Sequence, residues 1–345
     1  MLYLRQKNYF MNKIFLLFVT CLLTFSTQAQ LKKISLEDAV LQQNRKFVAD
    51  KLTGFQWIPN SSNYSYYTDS WTKMMSANVA KKEATELVEL SDINSALGTK
   101  LKNFIGIQWM DTTTLLISET GKFYSYNINS KSGKLLQEIP ETAENQTFDE
   151  AKINIAFTEA NNLYFLNKNK EKITVTNNSD KNIVSGQTIS RNEFGINGGI
   201  FWSPKSSYLA FYQKDETDVA DYPLLDINET PGKLVATKYP MIGQKSEKPK
   251  VGIYSLTTGE LFFITPKNHA DDYLTNLTFT PDEKYILIAE LNRGQNDMNL
   301  NLYETASGKF VRTLFNEKNP KWVEPEHPAF FPNNKSNNFV WISEK

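Results

Sequence analysis

The residues best placed to do chemistry lie in one run, Arg191-Asn192-Glu193-Phe194-Gly195-Ile196, followed by Phe201-Trp202-Ser203-Pro204 and the apolar stretch Leu209 to Tyr212. This order sets one carboxylate, Glu193, just ahead of a strand that reads as buried. A carboxylate so placed offers charge-assisted hydrogen bonds to a cation. Nucleophilic catalysis lacks its parts: the Gly-x-Ser-x-Gly elbow of serine hydrolases does not occur, and the only histidines, His269 and His327, fall in predicted turns with no nucleophile signature beside them. Two distant histidines and a single cysteine, Cys21, make no recognisable metal site, and no Gly-rich phosphate loop is present. The chain by itself is not expected to hydrolyse peptides, and no cofactor is expected.

The elements that must position Glu193 repeat along the chain. Strand-turn-strand units start near Phe55, Ile107, Ile153, Ile200, Leu277 and Ala329. Their aligned aromatics, Trp57, Trp109, Phe157, Trp202, Phe279 and Phe330, are 52, 48, 45, 77 and 51 residues apart. A period near 40 to 50 residues marks a β-propeller with one four-stranded blade per repeat. The fold class is therefore all-β, a partial propeller of about six blades over residues 55–345, with its repeat aromatics expected between sheets. The long interval holds a charged, Pro-containing insertion, Asp226 to Pro249, expected as a loop or an extra hairpin. Hairpin turns such as Ser130-Lys131-Ser132-Gly133-Lys134 and Thr305-Ala306-Ser307-Gly308-Lys309 carry the glycine that tight turns favour. Only Ser35 to Phe47, opening on the capping pattern Ser35-Leu36-Glu37-Asp38, reads as a helix, within a lead-in of residues 30–54.

Composition bounds the partners. Lys+Arg and Asp+Glu are 38 each among 345 residues, so no net field draws the chain to nucleic acid or to an anionic membrane. Arg5, Lys7 and Lys13 precede an apolar run from Ile14 to Phe25 that ends in Ser26-Thr27-Gln28-Ala29-Gln30, the pattern of a secretory signal peptide over residues 1–29 cleaved after Ala29. Met11 is an alternative start. The apolar run is shorter than the roughly 20 residues a spanning helix needs, so the mature form is expected without a membrane span, in the periplasm or outside the cell. Phe18-Val19-Thr20 is a poor lipobox for Cys21, and a mature chain without cysteine relies on its core alone.

The run around Glu193, the Phe201-Trp202-Ser203-Pro204 blade and Lys238-Tyr239-Pro240-Met241-Ile242-Gly243 together resemble the propeller domain of the dipeptidyl peptidase IV family of serine exopeptidases. The resemblance implies an eight-bladed ring followed by an α/β-hydrolase domain absent from these residues, so the chain is expected to be the amino-terminal half of a longer protein or the product of an interrupted reading frame and, alone, to be poorly soluble or to associate. It implies peptide substrates with a free amino terminus, cleavage after proline, a partner hydrolase domain and a homodimer in the longer protein. It also implies the role of Glu193, which matches the acidic position that holds the substrate's amino terminus. Where the dipeptidyl enzymes carry paired glutamates this sequence has Asn192 and Glu193, and Asn-Glu-Phe-Gly-Ile is closer to the prolyl tripeptidyl peptidases of the same family. Asn192 is a further substrate-binding candidate. Trp322-Val323-Glu324-Pro325 resembles a loop bordering the substrate cavity, with Trp322 as an aromatic wall. Asn292-Arg293-Gly294-Gln295-Asn296 resembles a turn in which side-chain amides satisfy backbone groups. The family arginine that contacts the substrate backbone has no counterpart in Glu141 to Asp149. Repeats and Gly turns alone fit equally an envelope propeller with no enzymatic role, acting as an interaction scaffold.

Overall fold

The computed structural model of the chain describes residues 33–43, 45–48, 51–81, 83–333 and 336–343. The expected signal peptide and Cys21 lie outside the described residues. The backbone divides into two units, residues 1–52 and 53–345. In the first, helix α1 (Leu36–Leu41) is started by Ser35, whose hydroxyl accepts the Asp38 N–H at 3.0 Å. It stops well short of Phe47. Leu36, Val40 and Leu41 are all exposed, so no packed apolar face extends so short a helix.

The second unit is a run of antiparallel sheets whose strands mostly pair in chain order. The first comprises Thr53–Trp57, Asn63–Thr68, Lys73–Asn78 and Ala84–Glu89, and the second Gln108–Trp109, Thr114–Glu119, Lys122–Asn127 and Ser132–Glu138. The third comprises Glu144–Phe148, Ile155–Glu159, Asn162–Leu166 and Lys172–Thr174, and the fifth Tyr273–Phe279, Tyr285–Leu291, Asp297–Glu304 and Phe310–Lys318. In the fourth, Tyr208–Asp215, Lys248–Ser255 and Leu261–Ile264 follow two short strands, Ile183–Ser185 and Ile200–Trp202, that share one edge of Tyr208–Asp215. A sixth unit is represented by the mutual backbone bonds of Phe330 and Val340, at 3.0 and 2.8 Å. This is the β-propeller arrangement that the repeats imply.

Strand periodicity explains the stacking, because successive side chains point to opposite faces. Leu115 and Ile117 pack with Tyr67 and Met74 of the first sheet, while Leu116 between them packs with Phe157 of the third. Ala210 and Tyr212 likewise join Ile286 and Ile288 of the fifth sheet, and Leu209 and Phe211 join Phe165 of the third. Each of the Leu, Ile, Phe and Met side chains among them contributes roughly 1.5–3 kcal/mol on full burial. Inner strands therefore read as continuous apolar runs.

The repeat aromatics divide. Trp109, Phe157 and Phe279 are buried, and Trp202 is half-buried with its indole N–H donating to the Thr147 carbonyl at 2.9 Å. Trp57 and Phe330, expected between sheets, are instead 54% and 65% exposed. They belong to the first and last units, where no described neighbouring sheet covers them, and Trp57 packs edge-on against Phe55 and Tyr64. A second helix, α2 (Leu90–Leu97), went unread in the sequence; Leu90 and Ile93 fill the core between the first two sheets, and Gly98, at φ 68°, ends it. The insertion is a hairpin, Asp221–Asp226 paired with Lys233–Lys238, beginning earlier than Asp226; Lys248 and Pro249 already belong to the next strand.

Polar groups also tie the sheets together. Glu290, 2% exposed, accepts the Lys267 N–H at 2.6 Å and the Asn268 N–H at 3.3 Å in the connection entering the fifth sheet, and the Asn301 amide at 3.1 Å. Burial holds its carboxyl above the ordinary range despite the two backbone donors. The folded pKa lies above the unfolded one, so this group's contribution to stability is complete below about pH 4.3 and is lost as pH rises through the folded value. Glu290→Gln should therefore raise the melting temperature at pH 7 and leave it nearly unchanged at pH 4. Equal effects at both values, measured by calorimetry, would refute this account.

Candidate substrate-binding site

Glu193 sits on an excursion that leaves the fourth sheet and returns to it. Ser185 pairs with Gln213 and Ile200 with Phe211, so the intervening chain, Gly186 to Gly199, is expelled at the single position Tyr212. Both feet are fixed there: Gly186 N–H donates to the Tyr212 carbonyl at 2.8 Å, and Tyr212 N–H to the Gly199 carbonyl at 2.9 Å. The feet lie so close that a Cβ on Gly199 would stand 2.3 Å from the Gln187 backbone.

Between the feet, Ser190, Arg191 and Asn192 form a left-handed turn with φ of 50°, 54° and 65°, closed by Glu193 N–H to the Ser190 carbonyl at 3.1 Å. Such conformations cost of order 1–2 kcal/mol per residue, and the surroundings must hold them. Phe194 is the main anchor: it is buried, meets Tyr273 edge-on at 4.8 Å, and its carbonyl accepts the Thr275 hydroxyl at 2.6 Å. Gly195, at φ 70°, lies against Glu326, where a Cβ would come within 2.0 Å of a carbonyl oxygen. Glu247 caps the turn by accepting the Ser190 N–H at 2.5 Å. Arg191 closes the other side, bonded to the Lys238 carbonyl with its guanidinium 4.7 Å from the Tyr239 ring.

The turn forms one wall of a cavity of about 140 Å³, with Glu216, Lys238, Tyr239 and Glu247 on one side and Asp271, Tyr273 and Arg293 on the other. Its charges are largely paired. Lys214 lies 2.8 Å from Glu216 and 3.6 Å from Glu247, and the Lys238 ammonium donates to the Val219 carbonyl at 2.8 Å and lies 3.3 Å from Asp221. Asp271 is 3.9 Å from the Arg293 Nε. The Glu193 carboxylate, exposed on the wall, has no hydrogen bond or ion pair among the described residues.

The other sequence candidates separate from it. Asn192 is exposed, its side-chain oxygen accepting from Thr188 at 3.4 Å, and it does not line the cavity. Trp322 is 57% exposed, with Lys321 5.7 Å from its ring, and is also outside the cavity wall. Its neighbour Val323 is buried and bonds the Gln295 carbonyl at 2.8 Å. The turn after Leu291 has the expected amide pattern: the Asn292 side chain accepts the Asn296 and Asp297 N–H groups at 2.9 and 3.1 Å. Sequence reasoning favoured a structural role for this turn and missed that it carries Arg293 to the cavity. His269 and His327 are both exposed.

A β-propeller region with a charged cavity beside its fourth and fifth blades is thus the class that the fold and site define. Residues 110–345 match the family described as "Dipeptidyl peptidase IV (DPP IV) N-terminal region". The chain belongs to the dipeptidyl peptidase IV family, of which these residues are the N-terminal region. It is 24% identical over 222 residues to Dipeptidyl aminopeptidase B of Saccharomyces cerevisiae, covering 61% of this chain and 27% of that protein. A crystal structure assigned as a dipeptidyl aminopeptidase IV from Bacteroides ovatus is 34% identical with a TM-score of 0.76, over 86% of this chain and 41% of the other. Dipeptidyl peptidase 4 of Porphyromonas gingivalis shares the fold, with a TM-score of 0.72 at 20% identity over 91% and 46% of the two chains. The chain therefore spans about a quarter of its yeast relative and less than half of each solved chain. Among the described residues no helix is long and apolar enough to cross a membrane.

Proposed function

We propose that this chain is the substrate-positioning propeller of an exported serine exopeptidase, and that Glu193 binds the free amino terminus of the peptide. The Glu193 carboxylate carries this reading: among the described residues it has no hydrogen bond or ion pair, whereas Glu216 and Glu247 share Lys214 and Asp271 approaches Arg293. A protonated amino terminus completes that arrangement through charge-assisted hydrogen bonds. Fixing the amino end determines which bond reaches a nucleophile, which is how an exopeptidase measures length. The nucleophile, base and orienting acid belong in this reading to a hydrolase domain of the longer protein, which releases short peptides ending in proline. The signal-peptide pattern of residues 1–29 supports export, and the exposed Leu224, Leu225, Leu234 and Val235 of the hairpin offer an apolar surface for a homodimer.

The test compares peptides that differ only in amino-terminal acetylation, by calorimetric binding to this chain and by cleavage in the longer protein. Free peptides should bind and be cleaved; acetylated ones should do neither well. Equal behaviour of the two sets would remove Glu193 from this role.

A further inference from the structure

The cavity that holds Glu193 contains a second charge, Arg293, that is only partly engaged: Asp271 approaches its Nε and leaves its terminal nitrogens open. The Arg293 guanidinium stacks on Tyr273, 4.4 Å from the ring centroid, and the turn beneath it is fixed by the Asn292 side chain and by Arg293 N–H donating to Asp272 at 3.2 Å. Among the described residues its only ionic contact is the 3.9 Å approach of Asp271 to Nε, beyond hydrogen-bonding reach. Neither terminal Nη group has a hydrogen bond among the described residues. The other two cations of the wall are committed, Arg191 to the Lys238 carbonyl and Tyr239, and Lys238 to the Val219 carbonyl and Asp221.

A guanidinium held by stacking, with both Nη groups open, matches a carboxylate bidentately. The cavity, at about 140 Å³, is close to the size that accommodates a benzene ring. It has room for one side chain and its ammonium group. We infer that Arg293 is a specificity-determining residue that receives a carboxylate carried next to the amino terminus bound by Glu193, favouring peptides that begin with an acidic residue. This rests on the reading of Glu193 given above. The same chemistry is supplied by the free carboxylate of a released dipeptide, and the experiment separates the two sources.

The probes are C-terminally amidated tripeptides, Asp-Ala-Pro-amide and Asn-Ala-Pro-amide, the acetylated form of the first, and the dipeptide Ala-Pro with a free carboxylate, each titrated calorimetrically into the full chain. The Asp peptide should bind roughly tenfold more tightly than the Asn peptide, as expected for one charge-assisted bidentate contact. Arg293→Gln should abolish that difference while keeping the dependence on a free amine, and Arg293→Lys should retain only part of it. Circular dichroism melting of both variants identifies any loss of fold. Equal binding of the Asp and Asn peptides to the unaltered chain overturns the inference, as does a preference that survives in Arg293→Gln. A preference for Ala-Pro over the Asp peptide that disappears in Arg293→Gln assigns the residue to product carboxylates and overturns the acidic-substrate reading. Equal binding of acetylated and free Asp peptides with the Arg293 dependence intact instead overturns only the role of Glu193. Absence of binding by every probe overturns both.

Discussion

Glu193→Gln should leave folding intact and weaken binding of free-amino peptides by about ten- to hundredfold, the effect of losing a hydrogen-bonded charge contact of about 1.5 to 3 kcal/mol. Folding is expected to survive because the side chain has no described partner to lose. The backbone bonds that shape the turn, Glu193 N–H to Ser190 and Ile196 N–H to Glu193, are unaffected by an isosteric amide. Acetylated peptides should bind the variant and the unaltered chain equally weakly. In the longer protein the loss should appear in kcat/KM for free peptides, and an unchanged value would show that the amine is held elsewhere.

Phe194→Ala should have the largest effect on stability, and it should act on the site without touching the carboxylate. The ring is 4% exposed and packs with Tyr273, Leu287 and Leu291 of the fifth sheet. Truncating a buried Phe costs about 3 to 5 kcal/mol. Much of the constraint on the left-handed turn goes with it, so peptide affinity should fall although Glu193 is retained. Phe194→Leu, which keeps most of the apolar volume, should recover most of both losses. A melting temperature for Phe194→Ala equal to that of the unaltered chain would show that the turn is held by its backbone bonds alone.

The blades were legible because their signals are local. Phe201-Trp202-Ser203-Pro204 followed by Tyr208 to Tyr212 announces a strand, a turn and a buried strand within a dozen positions, and Gly308 marks a hairpin without reference to anything distant. Glu193 drew attention for a related reason, since an acidic segment before such a blade departs from the repeat. What surrounds it was not. Glu247 reaches Ser190 across 57 residues, and Lys214, which neutralises Glu247, lies on the strand of another hairpin arm. Arg293 read as part of an amide-stitched turn, and only the stacking of the fifth sheet on the fourth brings it to the same cavity as Glu193. Helix α2 was missed because it is short and its few apolar residues, Leu90, Ile93 and Leu97, lie between two strand-rich repeats. The exposure of Trp57 and Phe330 shows the limit of a repeat: it predicts which face a residue takes, not whether a neighbour covers that face.

The anchoring of the Glu193 turn sets an order of events for a chain made from its amino end. When residues 186–199 emerge, the strands that hold their feet are close behind, but Thr275, which takes the Phe194 carbonyl, follows 81 residues later. Glu326, against which Gly195 rests, comes later still. Domains form from the amino end during synthesis at about 5–20 residues per second, so the fourth blade can pair its strands, and Glu247 and the Lys238 carbonyl can engage the turn, before Phe194 and Gly195 have their own partners. During that interval four consecutive blades exist with only one wall of the site, and the geometry around Glu193 is completed when the fifth blade supplies Tyr273 and Thr275. If Glu193 binds an amino terminus as proposed, that binding reports on blade stacking: the pocket is complete only in a chain whose fifth blade has packed on the fourth.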